Sequence, residues 1–389
     1  MDGTMPTTGI RDLILNLPSS EIRDVSEIAA DVDGLIPLWF GESDEPTPDF
    51  IKQAAVDALA RDETFYASNS GVAPLREAMM AYMARIYDRA FERDRITVTA
   101  SGMHAIAIAM QALIDPGDNA VVVGPVWPNV RETVHIMGGT VRDIYLQPGN
   151  DGWRLDLDAL IDRCDGATKL IFINSPGNPT GWMMTADEQR SLLAFCRQHG
   201  IWIVCDDVYA RVVYDRHHAP SFIELAEPDD RILAINSFSK SWSMTGWRLG
   251  WITAPVELIE ILAKITEFNI AGPTTFVQHA GVTAMTDGDD YIRALVGKLK
   301  RRRDLVCQGL AGFGRVTLSV PDAAFYTFFH VDGVDNSFDF AVRLAREARV
   351  GLAPGSAFGP AGQGHLRLCF ASSDRMLEEA LARLRPFLD

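Results

Sequence analysis

The chain has no run of about 18 or more apolar residues, so no membrane-spanning helix is expected. Its five cysteines (Cys164, Cys196, Cys205, Cys307 and Cys369) are scattered, odd in number and form no CxxC pair. That argues against a disulfide framework and against a metal site, and it fits a reducing, cytoplasmic location. Basic residues are scarce relative to acidic ones: 36 Lys and Arg against 52 Asp and Glu, a formal net charge of −16. An excess of this sign argues against a nucleic-acid partner, although it leaves room for a local cationic pocket. Met1 to Ser20 lacks a charged start followed by an apolar block, so no secretory leader is expected. Repeats and low-complexity tracts are also missing. What remains is 389 residues, 47% hydrophobic and 23% charged, enough for two or three domains or for one large and one small.

The middle of the chain alternates apolar runs with helical stretches, the pattern of an α/β fold with a mostly parallel sheet flanked by helices. The runs are Ile96–Ala100, Ala120–Gly124, Leu170–Ile173, Ile201–Cys205 and Ile232–Ile235. Most are apolar throughout, as strands buried on both faces are. Ser101, Gly124-Pro125, Asn174, Asp206 and Asn236-Ser237 follow them directly. Ligands of open α/β sheets bind outside the carboxyl ends of the strands, so these polar residues imply one shared site.

From Gly288 to Gly309 the chain reads as one long helix. Ile292, Leu295, Val296 and Leu299 form its apolar stripe, and Lys298, Lys300, Arg301 and Arg302 are expected to face water. Short strands follow, including Leu366–Phe370, and then an amphipathic helix with Leu377, Ala380, Leu381 and Leu384. This part is read as a smaller α+β domain on which the N-terminal segment packs. The expected division is 48–285 for the large domain, with 1–47 and 286–389 together forming the small one.

The most informative segment is Asn236–Gly250, NSFSKSWSMTGWRLG. Lys240 follows a buried strand among small hydroxyl residues, where partial desolvation lowers a lysine's pKa and lets it form a Schiff base with an aldehyde. Ser237, Ser239 and Arg248 offer the donors and charge that a phosphate needs. Ser101-Gly102-Met103 precedes a helical run from His104 to Leu113, and a helix start of this kind favours an anion. Arg367 lies on the strand face opposite Leu366, Leu368 and Phe370, and an arginine there needs a partner such as a carboxylate.

The segment SFSKxxxMTGWRLG resembles the pyridoxal-phosphate lysine signature of the class I/II aminotransferases of fold type I, and the resemblance runs from about Ile36 to Leu384. It implies pyridoxal 5'-phosphate as cofactor and a site shared across a homodimer. Gly41, after Phe40 in PLWFGESDEPTP, resembles the glycine whose backbone approaches the substrate carboxylate. Tyr66 resembles the tyrosine that reaches the cofactor phosphate of the neighbouring subunit, and Ser101, Gly102 and Met103 resemble the phosphate cup. Trp127 resembles the ring that stacks on the pyridine, and Asn178 the asparagine that donates to its phenolic oxygen. Asp206 and Tyr209 resemble the pair serving the pyridine nitrogen and that same oxygen. Arg367 resembles the residue that grips the substrate α-carboxylate. Val130 stands where some relatives carry a histidine behind the aspartate, so Asp206 is expected to be held differently here. No histidine is assigned a catalytic role.

The implied reaction is transamination between an L-amino acid and a 2-oxo acid, with Lys240 as the proton carrier at the substrate Cα and ping-pong kinetics. Met103 stands where a distal-carboxylate lysine occurs in some aspartate-specific relatives, and Trp39, Phe40, Phe325 and Tyr326 add apolar surface. The pocket is therefore expected to favour neutral or aromatic amino acids. Aspartate transamination and a C–S lyase or decarboxylase of the same fold stay open on motifs alone. A non-enzymatic regulator would need an added DNA-binding segment, and nothing before Ile36 or after Leu384 is long or basic enough. An unrelated α/β enzyme would leave the conjunction of Lys240, Asp206 and Arg367 unexplained.

Overall fold

A computed structural model describes residues 9–149 and 152–389. The first eight residues of the stretch read for a leader lie outside the described residues. The main sheet has seven strands. In chain order they are β1 (Ile96–Thr99), β2 (Asn119–Gly124), β3 (Thr140–Tyr145), β4 (Thr168–Asn174), β5 (Trp202–Asp206), β6 (Ile232–Ser237) and β7 (Gly250–Thr253). Their spatial order is β1-β7-β6-β5-β4-β2-β3, all neighbours parallel except β7, which runs antiparallel to both β1 and β6.

The five apolar runs all form strands of this sheet, buried between two layers of helices. Sequence reading passed over β3 and β7. In β3, TVRDIY, Arg142 and Asp143 break the apolar run, as suits a half-buried strand at the edge of the sheet. Short β7 begins at Gly250, where the lysine motif ends.

A second sheet is built from β8 (Val316–Leu318), β9 (Tyr326–Val331), β10 (Ala353–Pro354) and β11 (His365–Cys369), in the order β8-β9-β11-β10. Helix α1 (Glu21–Ile28) packs on this part through Ile22 and Val25, with Ala29 just beyond its end. Ile36–Pro37 pairs in parallel with Val350–Gly351, so the N-terminal segment does join the C-terminal part.

The long helix, Asp289–Ala311, buries Ile292, Leu295 and Leu299 as its spacing required. One expectation about its basic run is corrected. Arg302 is 8% exposed rather than facing water, because Asp44, Glu45 and Asp374 surround its guanidinium. Lys298 and Lys300 are half-exposed and pair with Glu45 and Asp215.

Candidate active site

Helix α2 (Gly102–Leu113) begins where β1 ends. Ser101 caps it, its Oγ accepting the His104 N–H at 2.9 Å. The Gly102 and Met103 N–H groups then find no acceptor among the described residues. The close seat of this helix start on β6 and β7 depends on Gly250. A Cβ there would lie 2.8 Å from the Asn236 carbonyl oxygen, the Gly102 nitrogen and the Ser101 carbonyl carbon. Ser237 ends β6, and its Oγ accepts the Ser239 N–H at 3.2 Å while donating to the Ser239 Oγ at 2.9 Å. Arg248, in the left-handed backbone region at φ 56°, is held by the Thr245 carbonyl, and its other guanidinium N–H groups find no acceptor among the described residues, while the side chain lines the cavity. Free helix-start amides, serine hydroxyls and a guanidinium together fit a phosphate dianion.

Lys240 sits one turn beyond Ser237. Its Nζ donates to the Gly41 carbonyl and lies 5.9 and 5.8 Å from the Tyr209 and Phe325 ring centroids. Burial disfavours the ammonium and brings its pKa from 10.5 down to about 8, so a useful neutral fraction exists near neutral pH. Asp206, at the end of β5, is 9% exposed. Burial raises its pKa to about 6, against the opposing effects of the Val208 N–H at 3.2 Å and the nearby Lys240 charge. Among the described residues no histidine supports it, and Val130 is packed in the core. A protonated ring nitrogen would find in Asp206 a buried acceptor that still ionises at pH 7.

Arg367, on β11, is 2% exposed. It donates to Asn178 Oδ1 at 2.8 Å and to the Trp39 carbonyl, and its Nε is buried without a partner. No acidic side chain pairs with it among the described residues. A buried cation in this state calls for an anionic ligand. Because Asn178 spends its Oδ1 on Arg367, its Nδ2 is left to donate to something else. Tyr209 Oη meets Tyr326 Oη at 2.7 Å, and Tyr326 carries the Arg367 guanidinium 4.4 Å over its ring.

These residues line one cavity of about 360 Å³ at the carboxyl end of the main sheet. Phe40, Gly41, Gly102, Met103, Trp127, Asn178, Asp206, Tyr209, Ser237, Ser239, Lys240, Arg248 and Arg367 all reach it, while Ser101 stands just behind as the helix cap. Two expectations need correction. Trp39 does not line the entrance: it is 4% exposed, its ring against Gly351 in the core of the second sheet. Phe325 is likewise core and touches the site only through Tyr209 and Lys240. Tyr66 is 91% exposed and is not part of its own chain's cavity.

Sequence reading missed other lining residues: Ser20, Ile22 and Arg23 from the α1 region, together with Ile106, Asn129, Asn174, Val208 and Thr245. Asn174 had a signal, as a polar residue ending a buried strand, but no role was given to it. Nothing local in SSEIRD marks Arg23, which reaches the cavity only because α1 folds back onto the second sheet.

A lysine at the carboxyl edge of a mostly parallel sheet, beside a phosphate cradle and a buried arginine, defines a pyridoxal-phosphate enzyme of fold type I. The chain belongs to the aminotransferase class I and II family, whose family model matches residues 34–384. It is similar to an aspartate aminotransferase of Pyrococcus horikoshii, with 32% identity over 384 residues that cover 98% of this chain and 97% of the relative. It is also similar to aromatic-amino-acid aminotransferase 2 of Thermococcus litoralis, with 31% identity and 95% of each chain covered. The solved alanine aminotransferase of Pyrococcus furiosus superposes with a TM-score of 0.92, at 27% identity over 97% of this chain and 99% of that one. The protein is thus a pyridoxal-phosphate-dependent aminotransferase working on amino and 2-oxo acids.

Proposed function

We propose that this one cavity runs both half-reactions of a ping-pong transamination, with Lys240 as the cofactor lysine and the proton carrier. The observation that supports this most is the half-buried Lys240, its pKa brought down to about 8 by desolvation, at the edge of the phosphate cradle. Pyridoxal phosphate, when bound, supplies the electron sink for the charge left at Cα. Gly102, Met103, Ser237, Ser239 and Arg248 would hold its phosphate, with Ser101 capping the helix start behind them, and Trp127 would cover its ring. Asp206 would keep the ring nitrogen protonated, while Tyr209 and the Nδ2 of Asn178 would donate to its phenolic oxygen. Arg367 grips the substrate α-carboxylate and Gly41 gives it room. Lys240, as a free amine, would take the proton from the substrate Cα and give it back.

The side-chain walls supplied by Phe40, Met103, Ile106 and Trp127 favour a neutral or aromatic amino acid, and an unpaired carboxylate against them would cost several kcal/mol. We read the working unit as a homodimer. Exposed Phe65, Tyr66 and Phe268, at 79%, 91% and 89%, form a surface suited to a second copy, whose cofactor phosphate Tyr66 would reach. We divide the chain at 48–285 and 1–47 plus 286–389, and the free cysteines fit a cytoplasmic enzyme.

The test is borohydride reduction of the loaded protein followed by peptide mass mapping. The cofactor's mass should appear on the peptide carrying Lys240 and vanish in Lys240→Ala. A mass on another lysine would overturn the assignment.

A further inference from the structure

The Gly41 carbonyl is the one hydrogen-bond acceptor of Lys240 Nζ among the described residues, so whatever fixes Gly41 also fixes the lysine. Gly41 lies in a strap, residues 38–47, that crosses from the second sheet to the lysine loop. On the sheet side the Leu38 carbonyl accepts the Cys369 N–H at 2.9 Å, and the Asp44 N–H donates to the Ala371 carbonyl at 2.9 Å. Between these two points residues 39–43 make no main-chain to main-chain hydrogen bond among the described residues. Their carbonyls go to the site instead: Trp39 accepts from Arg367 and Gly41 from Lys240. On the lysine-loop side Glu42 Oε2 accepts from Thr245 Oγ1 at 3.3 Å, and Thr47 Oγ1 donates to the Ser243 carbonyl at 2.6 Å. The strap therefore touches the lysine, the arginine and the loop that leads to Arg248.

The outer edge of the strap is held by the long helix. Arg302 reaches Asp44 Oδ1 at 3.4 Å and Glu45 Oε1 at 3.8 Å, and its Nε donates to Asp374 Oδ1 at 3.1 Å, where the last helix (Asp374–Leu388) begins. Lys298, one turn earlier, donates to both oxygens of Glu45 at 2.9 and 3.0 Å. The first turn of the same helix carries Tyr291, whose hydroxyl meets Ser243 Oγ in the lysine loop at 2.7 Å. Tyr291 and Arg302 stand roughly 16 Å apart along the axis, so one rigid element registers both the lysine loop and the strap. Stability alone is a poor reason for such a cluster. Apolar residues of the same shape often stabilise a fold as well as a buried ion cluster does, and the attested use of buried ions is to fix one arrangement against others.

We infer that Arg302 is a positioning residue for the reaction: through Asp44 and Glu45 it sets the strap so that the Gly41 carbonyl meets Lys240 Nζ. This rests on the reading of Lys240 as the cofactor lysine. The charged and titratable groups facing Nζ are Asp206 and Tyr209 after β5, Glu42 from the strap, and Arg367 and Cys369 from β11. Against the desolvation that disfavours the ammonium, the Gly41 carbonyl is a dipole that favours it.

The test is the pH profile of pyridoxal-phosphate capture by the apoprotein, which reads Lys240 without any turnover. In Arg302→Gln the strap loses its outer anchor and the carbonyl leaves Nζ. The midpoint of the profile should then fall by roughly half a pH unit from its wild-type place at about 8. Arg302→Lys keeps a cation beside Asp44 and Glu45 and should restore most of the wild-type midpoint. Asp44→Asn combined with Glu45→Gln removes the same contacts from the strap side while Arg302 keeps Asp374, and should give the same fall even if Arg302→Gln does not fold. A lower melting temperature with an unmoved midpoint would show that the cluster serves stability alone, and a midpoint moved upward would show that it only keeps water out. Either result would overturn the inference. The reading of Lys240 fails separately, if the reduced wild-type enzyme carries the cofactor's mass on another lysine.

Discussion

Tyr209 and Tyr326 meet hydroxyl to hydroxyl at 2.7 Å inside the protein, and the Tyr326 ring lies 4.4 Å under the guanidinium of Arg367. One side chain thus touches both halves of the site, the tyrosine assigned to the cofactor's phenolic oxygen and the arginine assigned to the substrate carboxylate. Tyr326 is a positioning residue. Tyr326→Phe should keep the ring under Arg367 but leave Tyr209 without its partner. A loss of about tenfold in kcat/KM is expected, ~1.4 kcal/mol, in line with one neutral hydrogen bond. The pH titration of the cofactor's visible band should shift in the same variant. Tyr209→Phe combined with Tyr326→Phe should cost less than the sum of the two, since both break one contact.

Gly41 has a steric requirement that comes from the same tyrosine. A Cβ at position 41 would lie 1.9 Å from Tyr326 Oη. Gly41→Ala must therefore displace either the tyrosine or the loop whose carbonyl holds Lys240. Activity should fall by roughly a hundredfold, ~2.7 kcal/mol. Gly41→Ala with Tyr326→Phe removes the clashing oxygen and should recover part of the loss. A double variant worse than Gly41→Ala alone would contradict this geometry.

Burial shifts Lys240 from 10.5 to about 8, which sets a pH dependence for cofactor capture by the apoprotein. Burial penalises the charged form, so the folded pKa is depressed and the neutral amine becomes available at lower pH than for a free lysine. Only that amine attacks an aldehyde. The capture rate, followed by absorbance, should rise about tenfold per pH unit below pH 8 and level off above it. A rate still climbing tenfold per unit between pH 9 and 10 would show an unperturbed lysine.

The exposed Phe65–Tyr66 segment is pinned to its own chain by the Thr275 hydroxyl, which donates to the Phe65 carbonyl at 2.6 Å. The tyrosine thus projects from a fixed backbone. Sedimentation should show a dimer at working concentration. Tyr66→Phe should loosen cofactor retention by about 1–3 kcal/mol while leaving the melting curve nearly unchanged. A fully active monomer would refute the shared site.

The central strands were readable because parallel strands buried on both faces are written as continuous apolar runs, and the polar residues ending them pointed to one edge. Lys240, Asp206 and Arg367 stood out because charge beside such runs needs a reason. Edge strand β3 was not readable, since it is half-buried for most of its length and Arg142 and Asp143 interrupt its apolar run. Arg302 was misplaced because helical spacing gives a direction for a side chain but not what waits there, here Asp44, Glu45 and Asp374. Trp39 was misplaced because it lies in a bend just past Ile36–Pro37, where no periodicity sets its direction, and Gly351 opens a slot for its ring. Arg23 could not be found at all, since its place in the cavity follows from the long-range packing of α1 rather than from any local pattern.

The most direct measurement is a single half-reaction at enzyme excess. The loaded protein is mixed with phenylalanine in the absence of any 2-oxo acid, and products and cofactor are quantified. The account predicts one equivalent of phenylpyruvate per site, no ammonia or carbon dioxide, and the cofactor left in its amine form until a 2-oxo acid is added. Release of ammonia or carbon dioxide with the cofactor returned to its aldehyde form would identify a lyase or decarboxylase and contradict it.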